Sequence, residues 1–186
     1  PKHTAVQMHI HRATVPSQVW KDLRNPSRQH RITMGTLLQT AWGLLLQRYA
    51  CGKDVVFGKV VSGRNAPLTG IESMVGLFAN TIPVRVNAES GGALLDLLRQ
   101  QQQKAIEGEN YAYCSLGDIQ SYVGCGEIIG TLFAFENYSV SSEYAEKYSS
   151  MIHVEHSREQ TNFDLTLSTY EDEQGLHLEF LYDPNV

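Results

Sequence analysis

An apolar helix followed closely by a β-branched run constrains this chain more than any other feature. The segment "MGTLLQTAWGLLLQRYA" (34–50) has apolar residues at helical spacing, and Thr33 precedes it as a candidate N-cap. The spaced residues are Met34, Leu37, Leu38, Ala41, Trp42, Leu45 and Tyr49, with Leu44 and Leu46 widening the stripe. This pattern predicts a helix that is buried on most sides and ends at Cys51-Gly52. The run "DVVFGKVVSG" (54–63) predicts an interior strand.

The remaining segments alternate between helical and strand patterns, without an internal repeat. "GLFANTIPVRV" (76–86) predicts a strand whose proline places it at an edge, a bulge or a strand start. A helix is predicted over 15–30, capped by Ser17 and ended or kinked at Pro26. Further predicted helices span 90–108 and 115–122, and further strands span 3–11, 130–138, 151–157, 162–171 and 176–183. The chain is therefore predicted to be α/β.

Composition excludes several classes of function. The 186 residues suffice for one sizeable domain or two small ones, and 42% of them are hydrophobic. A net charge of −5 without a long basic run argues against nucleic-acid binding. No apolar run reaches the ~18 residues of a membrane span, and the first ten residues lack the apolar segment of a signal peptide. Both ends break off abruptly, with Asp183-Pro184 resembling the start of a helix, so we expect a longer polypeptide.

Cysteines and histidines do not form a recognisable metal or disulfide pattern. Cys51, Cys114 and Cys125 are odd in number and contain no C-x-x-C pair, which favours a reduced, cytoplasmic protein. His9 and His11 share one face of a predicted strand, but no third ligand is evident. His153 and His156 are three residues apart on a predicted strand and so face opposite ways. We therefore expect no metal site.

Two sets of polar residues in apolar surroundings are candidate site residues. Ser62-Gly63-Arg64 ends the predicted interior strand. This stretch lacks the strand–turn–helix elbow of a nucleophilic serine, which leaves a turn with Arg64 paired to a carboxylate, or a cleft lined by strand-end groups. Asn80, Thr81 and Arg85 interrupt the next strand. Asn80 and Arg85 either bond backbone across a sheet junction or take part in a site.

Five segments, in order, resemble the second half of the condensation domains of nonribosomal peptide synthetases. They are "TLLQTAWGLLLQRYACGKDVVFGKVVSGR", "GIESMVGLFANTIPVRV", "YCSLGDIQ", "TLFAFENYSV" and "TNFDLTLSTYEDEQGLHLEFLYDPNV". The resemblance implies a chloramphenicol acetyltransferase-like mixed sheet packed with helices, forming one lobe of a two-lobed V. Residues 1–186 would be the C-terminal lobe, with the N-terminal lobe absent from the chain.

The resemblance also implies a reaction and a division of labour. The family joins the amine of one carrier-bound aminoacyl group to the thioester of another, and both substrates hang on phosphopantetheine of carrier domains. Its reactive His-His-x-x-x-Asp-Gly motif belongs to the N-terminal lobe, and this chain has no His-His pair. The chain would therefore hold no catalytic residue and bind no cofactor directly. Its partners would be the N-terminal lobe, peptidyl carrier domains and an adenylation domain of the same polypeptide.

The resemblance assigns channel lining or lobe-junction roles to nine residues. They are Ser62, Gly63, Arg64, Gly76, Asn80, Thr81, Arg85, Asn137 and Tyr138. The connection 64–75 would reach toward the other lobe, and the polar segment 139–150 would form a second crossing. Ala79 stands where valine is commoner, and "SYVGCGEIIG" (121–130) replaces an Arg-Asp-x-Ser-Arg-Asn-Pro-Leu segment common in the family. A noncatalytic carrier-binding lobe, and an epimerisation or acyltransfer domain of the same fold, remain as alternatives.

Overall fold

The computed structural model arranges six strands into one mixed sheet with helices packed against it. It describes residues 8–65, 68–88, 92–124, 126–136, 161–172 and 174–185. The strands are β1 (His9–Pro16), β2 (Asp54–Val61), β3 (Asn80–Asn87), β4 (Thr131–Glu136), β5 (Leu165–Asp172) and β6 (Gly175–Tyr182). The helices are α1 (Ser17–Gln29), α2 (Met34–Tyr49), α3 (Leu94–Glu109) and α4 (Leu116–Val123), with a short 3₁₀ turn at Ile71–Ser73. The predicted α/β class is confirmed.

The strand order is β1-β6-β5-β4-β2-β3. β4 runs parallel to both β2 and β5, and the other neighbours are antiparallel. β2 lies between β3 and β4, as predicted for an interior strand. β3 lies at the edge, which explains how the sheet accommodates Pro83, because an edge position does not require every N–H to join a ladder.

One face of the sheet carries the hydrophobic core. Trp42 of α2 packs with Phe57 of β2, Val86 of β3, Phe133 of β4 and Leu167 of β5, all buried. Side chains alternate along a strand, so β2 turns residues 55, 57, 59 and 61 toward the helices. None of the helices in the described ranges combines the length and the apolar character needed to cross a bilayer.

The buried face of α2 differs from the predicted one. Thr36, Gln39, Thr40, Gly43 and Gln47 are buried together with Trp42. By contrast Ala41, Leu45 and Tyr49 of the predicted stripe are exposed. The reason is close approach: Gly43 lies against Val86, which lets the helix backbone come near β3 and buries the small and polar residues around the glycine. Thr33 does cap this helix, accepting a hydrogen bond from the Thr36 N–H at 3.1 Å, and Cys51 follows it with a φ of 51°.

Helix α1 and two of the strands also differ from the predicted positions. Ser17 is the first residue of α1 and makes no capping hydrogen bond; Pro16 occupies the cap position. Pro26 lies inside α1 and does not end it, and buried Trp20 and Ser27 on either side keep both parts packed. The strand predicted over 3–11 runs from His9 to Pro16, and β3 begins at Asn80 instead of 76. The predicted strand 151–157 and connection 139–150 lie outside the described residues.

We expect Gly43→Ala to destabilise the fold by about 2 kcal/mol, because a methyl group forced into a filled core must displace its neighbours. A Cβ at Gly43 would lie 2.5 Å from Cγ2 and 2.7 Å from Cβ of Val86. Gly108→Ala is the matched control, since a Cβ at that helical glycine meets nothing within 4 Å. Urea unfolding measures both variants. Equal unfolding free energies for Gly43→Ala and wild type would contradict the proposed close packing.

Candidate functional site

Residues 62–79, which we call the β2–β3 connection, are held together by Arg64. Its Nη1 donates to the carbonyl oxygens of Ile71 at 2.6 Å and Met74 at 3.0 Å. Its Nη2 donates to the Gly76 carbonyl at 3.4 Å, and its Cζ lies 4.5 Å from the centre of the Phe78 ring. The expected carboxylate partner is therefore replaced by three backbone carbonyls. A planar guanidinium with several fixed donors suits this task, because it can bind several carbonyls at once.

Gly63 allows the two ends of the connection to meet. Its φ is 67°, and a Cβ there would overlap the carbonyl oxygen of Phe78. The Arg64 N–H donates to Ser62 Oγ at 3.3 Å, which tightens the same turn. Glycine is required here both for its backbone conformation and for the space. Ser62, Gly63, Arg64 and Gly76 thus form one structural unit.

The connection presents apolar side chains to solvent. Val75 and Leu77 are 103% and 92% exposed, and Leu68 and Met74 are 60% and 44% exposed. We call these four residues the apolar rim. Apolar residues normally cover a core or a partner, and here they project from a segment that Arg64 holds in place. The rim therefore has the character of a contact surface.

Asn80 joins the start of β3 to the segment after α3. Its Nδ2 donates to the carbonyl oxygens of Ala112 and Cys114, each at 2.7 Å. Its Oδ1 accepts the N–H of Thr81 at 2.8 Å. Asn80 therefore bonds backbone, as the structural interpretation of this position predicted.

Arg85 lies apart from these residues. In the β2–β3 register Asn80 pairs with Val61 and Arg85 with Val56, a separation of about 17 Å along the strand. Its Nε donates to both carboxylate oxygens of Asp54, at 2.9 and 3.1 Å, where backbone partners were expected. The hydrogen bond from Arg85 holds the pKa of Asp54 below its ordinary value. Arg85 is thus a partner of Asp54 at the far end of β3.

A cleft of about 550 Å³ lies on the helix side of the sheet, next to the connection. Its walls come from the end of β2, from β3 and from the last turns of α3. Ser62 and Gly63 line its upper edge, and Val61, Ile82 and Val84 form an apolar wall. Polar and charged side chains such as Gln39, Lys59 and Lys104 line the cleft as well, and a concave site that combines an apolar wall with polar groups can hold a small molecule.

Lys59 points into this cleft from β2. It pairs with Ile82 in the β2–β3 register and is on the same strand face as Phe57, so its side chain leaves the sheet on the core side. Burial lowers the pKa of the Lys59 amine, and the charge of Glu109 acts in the opposite direction. Across the described ranges, no residue forms a hydrogen bond or ion pair with that amine.

The predicted site residues therefore fall into separate places. Ser62, Gly63, Arg64 and Gly76 lie together, Asn80 and Thr81 begin β3 beside them, and Arg85 lies further along β3, where it lines the same cleft as Ser62 and Gly63. Asn137 and Tyr138 lie outside the described residues. Sequence reasoning missed Lys59, although a lysine in phase with Val55, Phe57 and Val61 of "DVVFGKVV" is a signal for a charge on the core side. His9 meets the Tyr182 ring edge-on, His11 lies at a tilt beside the Phe180 ring, and the described residues hold no cluster of three metal ligands.

Asn80→Asp should destabilise the protein by about 2 kcal/mol, because a carboxylate cannot donate to the Ala112 and Cys114 carbonyls and faces their oxygens directly. The variant keeps the shape and the acceptor for Thr81. Asn185→Asp, at an exposed amide that bonds only within its own turn, is the matched control. Thermal unfolding at neutral pH compares them. An Asn80→Asp variant as stable as wild type would show that the amide donors are dispensable.

Curated relatives of this chain are large peptide synthetases. Bacitracin synthase 3 of Bacillus licheniformis is 39% identical over 165 residues, which is 86% of this chain and 3% of that protein. Tyrocidine synthase 2 of Brevibacillus parabrevis is 36% identical over 188 residues, covering 98% of this chain and 5% of that protein. The chain thus spans a small part of the relatives it matches.

Solved structures share the fold at low sequence identity. A condensation domain from the monacolin K polyketide synthase matches with a TM-score of 0.77 and 19% identity, covering all of this chain and 45% of that one. The X-domain from teicoplanin biosynthesis matches with a TM-score of 0.78 and 20% identity, covering 95% and 42%. A four-domain nonribosomal peptide synthetase matches with a TM-score of 0.80 and 16% identity, covering 95% and 15%.

The expected fold is therefore confirmed as the chloramphenicol acetyltransferase-like mixed sheet of condensation domains. The family model for the condensation domain matches residues 1–186. Since that match covers the whole chain and the peptide synthetases above exceed 30% identity, the chain belongs to the condensation-domain family of nonribosomal peptide synthetases.

Proposed function

We propose that this chain is the C-terminal lobe of a condensation domain that forms a peptide bond between two carrier-bound thioesters. The observation that carries the proposal is the β2–β3 connection, whose apolar rim is solvent-exposed yet fixed by the Arg64 hydrogen bonds. A rigid segment with exposed apolar side chains is suited to pack against a second, preformed surface. That surface would be the N-terminal lobe.

The length of the chain supports the same proposal. The whole chain aligns with 45% of a solved condensation domain, so a second part of similar size remains to be supplied. The chain also lacks a His-His pair. We therefore assign the reactive histidine to the partner lobe, and to this chain the positioning of substrates in a channel between the lobes.

The proposed reaction is transfer of an acyl group from sulfur to nitrogen. The amine of the acceptor attacks the thioester carbonyl carbon of the donor, the C–S bond breaks, and the amine proton leaves as the donor thiol forms.

Both substrates would be held on phosphopantetheine of carrier domains, with an adenylation domain in the same polypeptide. We place this protein in the cytoplasm. Ser62 and Gly63, which line the cleft, would line the channel together with Thr81 at the start of β3, and Arg64, Gly76 and Asn80 would fix its shape. Arg85, Asn137 and Tyr138 were assigned to the same channel by family resemblance.

The complete two-lobed domain, incubated with one aminoacyl donor carrier and one aminoacyl acceptor carrier, tests the proposal. We expect a dipeptidyl group on the acceptor carrier, detected by mass spectrometry. Carrier binding without any product would replace this function with that of a noncatalytic binding lobe. An inverted α-carbon, or transfer to a free or coenzyme A-bound acceptor, would replace it with epimerisation or acyltransfer.

Placing charge on the apolar rim should impair the domain. Val75→Asp with Leu77→Asp would bury two unpaired carboxylates at the lobe junction, so we expect dipeptide formation to fall at least about tenfold. Val19→Asp, on an exposed apolar residue of α1, is the matched control. Rates of product formation at fixed carrier concentration decide the outcome. If the rim variant and the control had equal rates, the rim would not be a lobe contact.

A further inference from the structure

The cleft beside the β2–β3 connection contains two polar groups that the fold does not satisfy. The Lys59 amine has no hydrogen-bond or ion-pair partner in the part of the chain that the structure describes. Gln39 is 2% exposed, lines the same cleft, and its Oε1 is buried without a donor. A buried polar atom without a partner is rare in folded proteins and calls for an explanation. Gln39 Oε1 is such an atom, and together with the half-buried Lys59 amine in the same cleft it indicates a ligand.

The neighbouring glutamine shows that the fold can satisfy such groups where it needs to. Gln101 is 1% exposed, and its Nε2 donates to the Arg85 carbonyl at 3.1 Å. Gln47 is also buried and donates to the Val86 carbonyl at 2.9 Å. Both bonds support the edge strand β3. Gln39 lies on the same buried side of α2 as Gln47 and lines the cleft, but its Oε1 is buried without a donor.

The chemistry of the cleft defines the ligand. Lys59 supplies a cation deep in the site, and charge-assisted hydrogen bonds to a carboxylate are the strong partners of an ammonium. Gln39 Oε1 requires an N–H or O–H donor. The apolar wall of Val61, Ile82 and Val84 favours an aliphatic stretch of the ligand between the group that binds Lys59 and the group that binds Gln39. An aminoacyl group with an acidic side chain offers all three: an amine or amide N–H, a short aliphatic chain and a carboxylate.

The charges at the mouth fit this arrangement. Lys104 and Glu109, both exposed on α3, and Tyr113 face the cleft from the helix side. Glu109 is close enough to affect the Lys59 amine electrostatically, but burial has the larger effect on the pKa of that amine. The charge of Glu109 therefore offsets only part of the effect of burial on the Lys59 amine. A carboxylate brought by a substrate would supply further negative charge there.

We propose that the cleft is a side-chain pocket for an acidic aminoacyl group and that Lys59 is its specificity-determining residue. This inference rests on the proposed condensation function and names its substrate class. The pocket would admit the isosteric neutral side chain as well, but would bind it more weakly, because the amide cannot neutralise the buried ammonium.

Glutamyl-loaded and glutaminyl-loaded carriers test the proposal, because their side chains have nearly the same shape and differ in charge. Each carrier is offered to the complete domain in turn at the donor and the acceptor position, with an alanyl-loaded carrier at the other. We expect the rate with glutamyl to exceed that with glutaminyl by about tenfold at one of the two positions. Lys59→Met should abolish this ratio, and Lys59→Arg should retain it.

Lys21→Met, on the exposed surface of α1, is the matched control and should leave the ratio unchanged. If the wild-type ratio is near one at both positions, or if Lys59→Met keeps it, the pocket proposal is wrong while the condensation function stands. If alanyl carriers alone yield no dipeptide, the condensation function itself fails. If Lys59→Met loses activity with the glutamyl and glutaminyl carriers alike, the ratio cannot be measured in that variant, and Lys59→Arg decides instead. A Lys59→Arg variant without the glutamyl preference would overturn the proposal.

Discussion

The close approach of α2 to the edge strand β3 sets the position of everything else in the site. Gly43 places the α2 backbone against Val86, whose side chain is fully buried in the core. From this distance Gln47 of α2 reaches the Val86 carbonyl, while Gln101 of α3 reaches the neighbouring Arg85 carbonyl. Two buried amides thus bond the backbone of an edge strand to both helices. Because the β2–β3 connection leads directly into β3, the hydrogen bonds that hold β3 to the two helices also fix the position of the connection.

The connection itself is stabilised by polar contacts, since it has little apolar surface of its own buried. Among the described residues of the connection, Ile71 is the buried hydrophobic one, and Arg64 supplies bonds to three carbonyls of the same segment. Asn80 then bonds the end of the connection to the residues after α3. These are local and directional interactions, so they fix the geometry while leaving the apolar rim exposed. Positioning a surface in advance lowers the entropic cost of docking to it.

The sequence pattern predicted the kinds of elements and their order and placed β2 in the interior, while Pro83 left an edge, a bulge or a strand start open for β3, of which the structure shows the edge. It failed where tertiary contacts overrode local pattern. The apolar stripe of α2 predicted burial of Leu45 and Tyr49, whereas the helix buries Thr36, Gln39 and Gln47 around Gly43. No local rule anticipates that a glycine against Val86 outweighs a leucine stripe. Pro26 was likewise expected to end or kink a helix, and the helix continues through it.

The candidate site was likewise predicted from the sequence only in part. Runs of polar residues at strand ends identified Arg64 and Asn80, because such residues in apolar surroundings need partners. The sequence could not show which partners they have, since the carbonyls that accept from Arg64 lie seven to twelve residues away. Lys59 escaped notice because a single lysine in a β-branched run is usually assigned to the solvent face of a strand. Its strand phase with Phe57 contradicted that assignment.

The unsatisfied groups of the cleft and the exposed residues of the connection have a common physical explanation. A chain selected for its own stability alone would pair Lys59 with a carboxylate and cover Val75 and Leu77. In the part of the chain that the structure describes, Lys59 has no ion-pair partner and Val75 and Leu77 are exposed, although Gln47, Gln101, Asn80 and Arg64 form hydrogen bonds nearby. Because satisfied and unsatisfied groups lie side by side in one small region, we infer that the unsatisfied groups bind another molecule. Under the proposals above, the apolar rim would meet a second lobe, and the Lys59 amine would meet a substrate held between the two.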